Sequence, residues 1–390
     1  MPPALVRPTI EQLVSSQIRE VANAGMGDPN VLPFWFGEPD QVTPQFIRDA
    51  ACAALQDGAT FYTQNYGMPV LRQAIADYAG RLHQRPLDAE RVVVTNSGNS
   101  ALMIAAQLVV DPGCRIVVVT PVWPNLTEIP KILGAEVVRA PLDYVGGRWQ
   151  LDLDKFLALL TPDTRAVFIN SPNNPSGWTM PRADQQAVLE HCRKLGIWII
   201  ADEVYERLYF GAEGKSAPAF AAIAEDDDRL LTVNSFSKAW LMTGWRLGWI
   251  SAPPAVVGQL GKLVEYNTSC APGFVQLAGV AAIEQGESVV EASVARLRES
   301  RDHLCAALNR LPGVTATPPD GAMYVFFQCE QARREGSLPF ARRMVREAGL
   351  GLAPGGAFGL EGEGFLRWCT AASLERLDLG VSRLQRLLEA

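Results

Sequence analysis

The sequence predicts an α/β protein in two parts. A large domain over residues 45–285 is built on a mainly parallel, seven-stranded sheet flanked by helices, and residues 1–44 and 286–390 make a smaller α+β domain. Three observations carry this reading. The chain has 390 residues, 48% of them hydrophobic, which is enough for more than one core. From residue 91 onward, short β-branched runs alternate with helical stretches, the signature of a parallel sheet covered by helices. After about residue 285 that alternation stops and a long charged helix takes over.

Taken in order, Thr43-Pro44 predicts the opening of a helix, with a hydroxyl cap and proline at the first helical position. Val70, Leu71, Ala74, Ile75, Tyr78 and Leu82 recur at helical spacing and predict a second, amphipathic helix. Runs at 92–94, 116–119, 166–169, 197–200 and 230–233 are apolar throughout rather than alternating, as expected of strands covered on both faces. The charged helix is expected over 291–311 and ends at Leu311-Pro312-Gly313. A strand at 323–327, a helix near 340–348, a loop at Gly355-Gly356, a strand at 365–368 and a last helix complete the chain. There is no internal repeat.

Composition narrows the function. The formal net charge is -7 and the basic residues are scattered, so no nucleic-acid or membrane-surface partner is expected. Glu225-Asp226-Asp227-Asp228 reads as a solvated loop before a strand. The seven cysteines are dispersed, with no Cys-x-x-Cys pair, which predicts reduced thiols in a cytoplasmic protein. Met1-Pro2-Pro3-Ala4-Leu5-Val6-Arg7-Pro8 lacks a signal-peptide pattern, and no run is apolar enough for a membrane span. His83, His191 and His303 are far apart and form no His-Glu-x-x-His, so no metal site is expected. Gly214-Lys215-Ser216 echoes the end of a phosphate-binding loop, but Tyr209 stands where its first glycine belongs.

Ligands of open α/β sheets bind at the carboxyl ends of the strands, so the residues that follow each run matter most. After 92–94 comes Thr95-Asn96-Ser97-Gly98-Asn99-Ser100, a small-residue loop entering a helix. It can hold a phosphate on free N–H groups, or simply cap the helix. After 116–119 comes Trp123, a ring that can stack on a cofactor or fill the core. After 166–169 comes Asn170-Ser171-Pro172-Asn173-Asn174-Pro175-Ser176-Gly177, where Asn174 can donate to a phenolic oxygen or serve turn chemistry. After 197–200 comes Asp202, a carboxylate leaving an apolar strand, costly to bury without a cationic partner such as a pyridinium N–H. After 230–233 comes Ser235-Phe236-Ser237-Lys238, with Arg246 eight positions beyond the lysine. The amine can form an imine with an aldehyde, while the hydroxyls and the guanidinium can hold a phosphate. An aldehyde carrying a phosphate is pyridoxal 5'-phosphate.

With these segments in view, the chain resembles the class I/II aminotransferases, the aspartate-aminotransferase-like group of fold type I pyridoxal phosphate enzymes, over nearly its whole length. The resemblance rests on Gly37-Glu38-Pro39-Asp40, Phe61-Tyr62-Thr63, Asn174-Pro175-Ser176-Gly177, Asp202-Glu203-Val204-Tyr205, Ser235-Phe236-Ser237-Lys238, Gly244-Trp245-Arg246-Leu247-Gly248 and Gly364-Phe365-Leu366-Arg367. It implies that Lys238 binds the cofactor covalently and moves the substrate proton, that Asp202 pairs with the ring nitrogen, and that Asn174 and Tyr205 bond the ring's 3-oxygen. It further implies that Gly98, Asn99, Ser235 and Arg246 bind the phosphate, helped by Tyr62 from a partner subunit of a homodimer. It also implies that Trp123 stacks on the ring and that Arg367 and the Gly37 N–H take the substrate α-carboxylate.

The implied activity is ping-pong transfer of an amino group between an L-amino acid and a 2-oxo acid. Asn99 stands where some prokaryotic aspartate-type members carry a lysine for a side-chain carboxylate, and residues 31–36 are apolar. A neutral or aromatic amino donor is therefore expected. β-Elimination on the same fold is the alternative. An aminotransferase-like ligand sensor is a further one, but the substrate loop begins within the first forty residues, which leaves no room for an appended DNA-binding module.

Overall fold

The computed structural model describes residues 5–211 and 214–389. The start of the N-terminal stretch, residues 1–4, lies outside them. Seven strands form the main sheet: β1 (Val92–Thr95), β2 (Arg115–Thr120), β3 (Glu136–Pro141), β4 (Thr164–Asn170), β5 (Trp198–Asp202), β6 (Leu230–Ser235) and β7 (Gly248–Ser251). Their order is β1-β7-β6-β5-β4-β2-β3. Only β7 runs antiparallel, to both β1 and β6. The mainly parallel α/β sheet expected from the sequence is present.

Each of the five apolar runs became a strand. Their residues are almost all fully enclosed because helices cover both faces. β3 and β7 carry no comparable run. β3 is an edge strand, partly exposed along Glu136-Val137-Val138-Arg139. β7 is short and opens on Gly248, where a Cβ would stand 2.6 Å from the Gly98 nitrogen and 2.8 Å from the Asn234 oxygen. Only glycine permits that approach, and it seats β7 against the start of the helix that follows β1.

Register aligns the chemistry along one edge. Asn170 pairs with Asp202 across β4 and β5, and Gly248 lies between Ser235 of β6 and Thr95 of β1. The residues that leave β1, β2, β4, β5 and β6 therefore emerge at the same rim.

The helices that matter to the site are α1 (Gln17–Asn23), α2 (Gln45–Gln56), α3 (Pro69–His83), α4 (Gly98–Val109), α5 (Gly273–Gln285), α6 (Glu287–Leu308) and α7 (Leu374–Glu389). α3 matches the amphipathic helix expected at 70–82. Thr43 does not cap α2. Its hydroxyl donates to the Leu241 carbonyl (2.6 Å) and accepts from Trp245 Nε1 (2.9 Å), so it ties this segment to the loop after Lys238 instead. The charged helix, expected at 291–311, begins four residues earlier and ends at Leu308. The helix expected near 340–348 is split into Ser337–Arg343 and a wider turn over Met344–Ala348. In the acidic run, Asp228 is buried and takes two hydrogen bonds from Arg193, both 2.6 Å, so it is not a solvated residue.

A second, four-stranded sheet holds β8 (Val314–Thr315), β9 (Tyr324–Cys329), β10 (Ala353–Pro354) and β11 (Phe365–Cys369), in the order β8-β9-β11-β10. It shares a core with α1, α7 and the strand Leu32–Pro33, including Val21, Phe34, Phe327, Trp368 and Leu384. Among the described residues no helix is long and apolar enough to cross a membrane.

Candidate active site

A cavity of about 740 Å³ opens at the carboxyl edge of the main sheet. Every residue predicted for the site lines it except Tyr62, which stands 90% exposed on the surface. Lys238, in the single helical turn after β6, sits inside it. Its amine donates to the Gly37 carbonyl at 2.6 Å. Burial holds that amine down to about 8, with the nearby guanidinium groups of Arg367 and Arg246 acting in the same direction. A sizeable fraction is therefore neutral near pH 8 and able to act as nucleophile or base.

Asp202 ends β5 and is 3% exposed. It has no ion pair among the described residues. Among the described residues its carboxylate takes one hydrogen bond, a long one from the Val204 N–H at 3.4 Å. Burial pushes its carboxyl up to about 7. A carboxylate enclosed without an ion pair is costly, so this acid is left able to accept from a cationic N–H.

Arg367 presents the opposite case. It sits on β11, buried, with no carboxylate partner among the described residues. Its Nη1 donates to Asn174 Oδ1 at 2.8 Å, and Nη2 donates to the Trp35 carbonyl. Its Nε has no partner. The guanidinium lies 4.3 Å over the Tyr324 ring and 5.0 Å over Phe358. Aromatic faces and carbonyls orient the charge without neutralising it, which leaves it for an anion. Because Asn174 spends its oxygen on Arg367, its amide NH₂ remains free to donate into the cavity.

At the other pole, α4 starts at Gly98. The Ser97 side chain caps it by accepting from the Ser100 N–H (3.0 Å). The N–H groups of Gly98 and Asn99 lie in the first turn, where a helix cannot pair them itself. The Ser235 and Ser237 hydroxyls are 2.9 Å apart. Arg246 adopts a left-handed backbone (φ 54°) and is exposed beside them, with Nη1 donating to the Thr243 carbonyl at 2.7 Å. Free N–H groups, hydroxyls and a guanidinium make an anion pocket. Trp123 is half-buried, and its N–H donates to the Asn174 carbonyl at 2.8 Å, which fixes its segment to the Asn174 turn.

Among the lining residues that the sequence did not single out, Tyr324, Asn170 and Arg19 matter most to the site. Tyr324 comes from β9 in the second sheet, and its hydroxyl is 2.7 Å from that of Tyr205. It also explains Gly37, where a Cβ would lie 1.7 Å from the Tyr324 oxygen. Asn170 holds the Asn174 turn by accepting from the Asn174 N–H at 2.7 Å. Arg19 of α1 lines the mouth, lies 4.5 Å over the Phe36 ring and has no ion pair among the described residues. A polar residue at the end of a strand run could have flagged Asn170. Nothing in local pattern marks Tyr324 or Arg19, which reach the site only through tertiary packing. Among the described residues no cluster could hold a metal ion.

The family profile described as "Aminotransferase class I and II" matches residues 29–384. An aspartate aminotransferase of Pyrococcus horikoshii is 31% identical over 96% of this chain and 95% of its own length. An aromatic-amino-acid aminotransferase of Thermococcus litoralis is 29% identical over 97% of each chain. The structure of an alanine aminotransferase from Pyrococcus furiosus superimposes with a TM-score of 0.91 at 25% identity, covering 98% of this chain and 99% of that one.

Proposed function

The chain belongs to the class I and II aminotransferase family and is a transaminase, and we propose that it works with pyridoxal 5'-phosphate by a ping-pong mechanism. One observation carries this. A buried carboxylate, Asp202, and a buried guanidinium, Arg367, neither with an ion pair among the described residues, share a cavity with Lys238, whose charge acts on Asp202 and which Arg367 acts on in turn. The residues present fit the cofactor. Asp202 offers an unpaired acceptor to the ring N–H. Asn174 and Tyr205 offer donors to the phenolic oxygen, and Trp123 offers a stacking face. The Gly98 and Asn99 N–H groups, Ser235 and Arg246 offer an anion pocket. When bound, pyridoxal phosphate supplies an electron-withdrawing ring that takes up the negative charge left on the substrate α-carbon.

The chain's own residues do the rest. Lys238 Nζ would hold the cofactor's aldehyde carbon and, as a free amine, would take the substrate α-proton and give it back. Asp202 stays ionised beside a cationic ring nitrogen and keeps its proton in place. Arg367 and the Gly37 N–H orient the substrate carboxylate, which fixes the Cα–H bond relative to Lys238. A positioned base of this kind contributes about 10²–10⁴-fold.

A neutral or aromatic L-amino donor fits the wall. Asn99 is engaged by the Asn125 amide (2.7 Å) instead of offering a cation, and Ile18, Phe36 and Leu102 are apolar. Arg19 favours an oxo-acid acceptor with a second carboxylate. On that reading Arg19→Gln lowers kcat/KM for a 2-oxo diacid about tenfold, the loss of one charged hydrogen bond, and spares a neutral oxo acid. A homodimer would complete the site, because Phe61, Tyr62 and Tyr266 are 83%, 90% and 91% exposed, and Arg246 is exposed as well. Residues 45–285 serve as the large domain, 1–44 and 286–390 as the small one. The seven free cysteines suit a reducing compartment such as the cytoplasm.

The test is a half-reaction screen that follows loss of the cofactor's visible band with each L-amino acid, with ammonia release measured in parallel. Neutral or aromatic donors should react fastest, with amino transfer exceeding ammonia release. Highest kcat/KM for aspartate would contradict the donor assignment, and dominant ammonia release would contradict transamination.

A further inference from the structure

We propose that Tyr324 is a positioning residue whose hydroxyl donates to Tyr205 Oη and thereby commits the Tyr205 proton to the cavity. The proposal rests on the reading that pyridoxal phosphate binds there. The two phenol oxygens are 2.7 Å apart. The rings meet edge-on, 5.8 Å between centroids at 74°. Both residues are buried, and neither hydroxyl has another hydrogen-bond partner among the described residues. Two hydroxyls in contact share one proton between them and leave the other free. If Tyr205 donated to Tyr324, Tyr205 would turn only lone pairs toward the cofactor's phenolic oxygen and leave Asn174 as its sole donor. If Tyr324 donates, Tyr205 keeps a proton to offer.

The Arg367 guanidinium decides the direction. It lies 4.3 Å over the Tyr324 ring, so it draws electron density from that phenol and makes it the stronger donor of the two. Burial raises both phenols, Tyr324 to about 12 and Tyr205 well above its ordinary value, so both remain protonated in the working range. Gly37 guards the arrangement, since any Cβ there would displace the Tyr324 oxygen. Tyr324 thus joins the residue that holds the substrate carboxylate to the residue that polarises the cofactor.

The experiment titrates the visible absorption of the bound cofactor, without substrate, in wild type, Tyr324→Phe, Tyr205→Phe and the double variant. Tyr324→Phe keeps the ring beneath Arg367 and removes only the oxygen. A donor to the phenolic oxygen stabilises its charge and weakens its hold on the proton shared with the imine nitrogen. Losing the cooperative push from Tyr324 should therefore raise the midpoint by about half a pH unit. In the Tyr205→Phe background the same change should move it by less than roughly a third of that, because the effect passes through Tyr205. Equal movement in both backgrounds, no movement in either, or a downward shift would overturn the proposal. Wild-type protein that develops no visible band with pyridoxal phosphate would instead sink the cofactor reading, and the proposal with it.

Discussion

Asp202→Asn should stabilise the cofactor-free protein while weakening its hold on the cofactor. The carboxyl titrates near 7 in the fold against an ordinary 3.8. Between those values the folded chain binds the proton that the unfolded chain has released. Stability therefore falls as pH rises from about 4 to about 7, and the loss is complete above that. Converted at about 1.4 kcal/mol per pH unit, the gap amounts to roughly 4 kcal/mol, an upper figure because the carboxylate can relax toward Lys238. Asparagine carries no charge to desolvate. Thermal unfolding of cofactor-free protein at pH 8 should show the variant melting several degrees above wild type, with the difference vanishing near pH 4. With pyridoxal phosphate bound the order reverses, since the ring N–H loses its counter-ion, and kcat should fall by at least about 10²-fold. A variant that melts lower at pH 8 without cofactor, or that binds and turns over normally, would refute the reasoning.

Other outcomes follow from the same groups. Lys238→Ala should still take up cofactor non-covalently, while kcat drops by about 10²–10⁴-fold; normal turnover would remove the base assignment. Attachment of pyridoxal phosphate to empty wild-type protein should accelerate with pH and level off above about 8, where the Lys238 amine is neutral, as read by stopped-flow absorbance; a plateau below pH 6 would contradict the lowered amine. Arg367→Lys keeps the charge but loses the planar fork, so kcat/KM for α-amino acids should fall about 10–100-fold while the cofactor still binds; an unaffected kcat/KM would place the carboxylate elsewhere.

Much of this site can be read in sequence because the sheet is buried on both faces. Runs such as Ile116-Val117-Val118-Val119 have to be apolar throughout, and the first polar residue beyond each run falls at the ligand-binding rim. Asp202 stood out for that reason. The edge strand β3 escapes because it is half-exposed and mixed, and β7 because four residues opening on glycine carry too little pattern. Thr43 misleads in a different way. A threonine before proline has the chemistry of a helix cap, but a better use, bridging Leu241 and Trp245, exists only in three dimensions. Tyr324, 119 residues from its partner Tyr205, cannot be paired from spacing at all.

The central claim is a covalent link between a pyridoxal phosphate aldehyde and the amine at position 238. Reducing the loaded protein with borohydride and mapping the modified peptide by mass spectrometry tests it most directly. A phosphopyridoxyl group on Lys238 alone is the predicted result. An unmodified Lys238, or the group found on another lysine, would contradict the account.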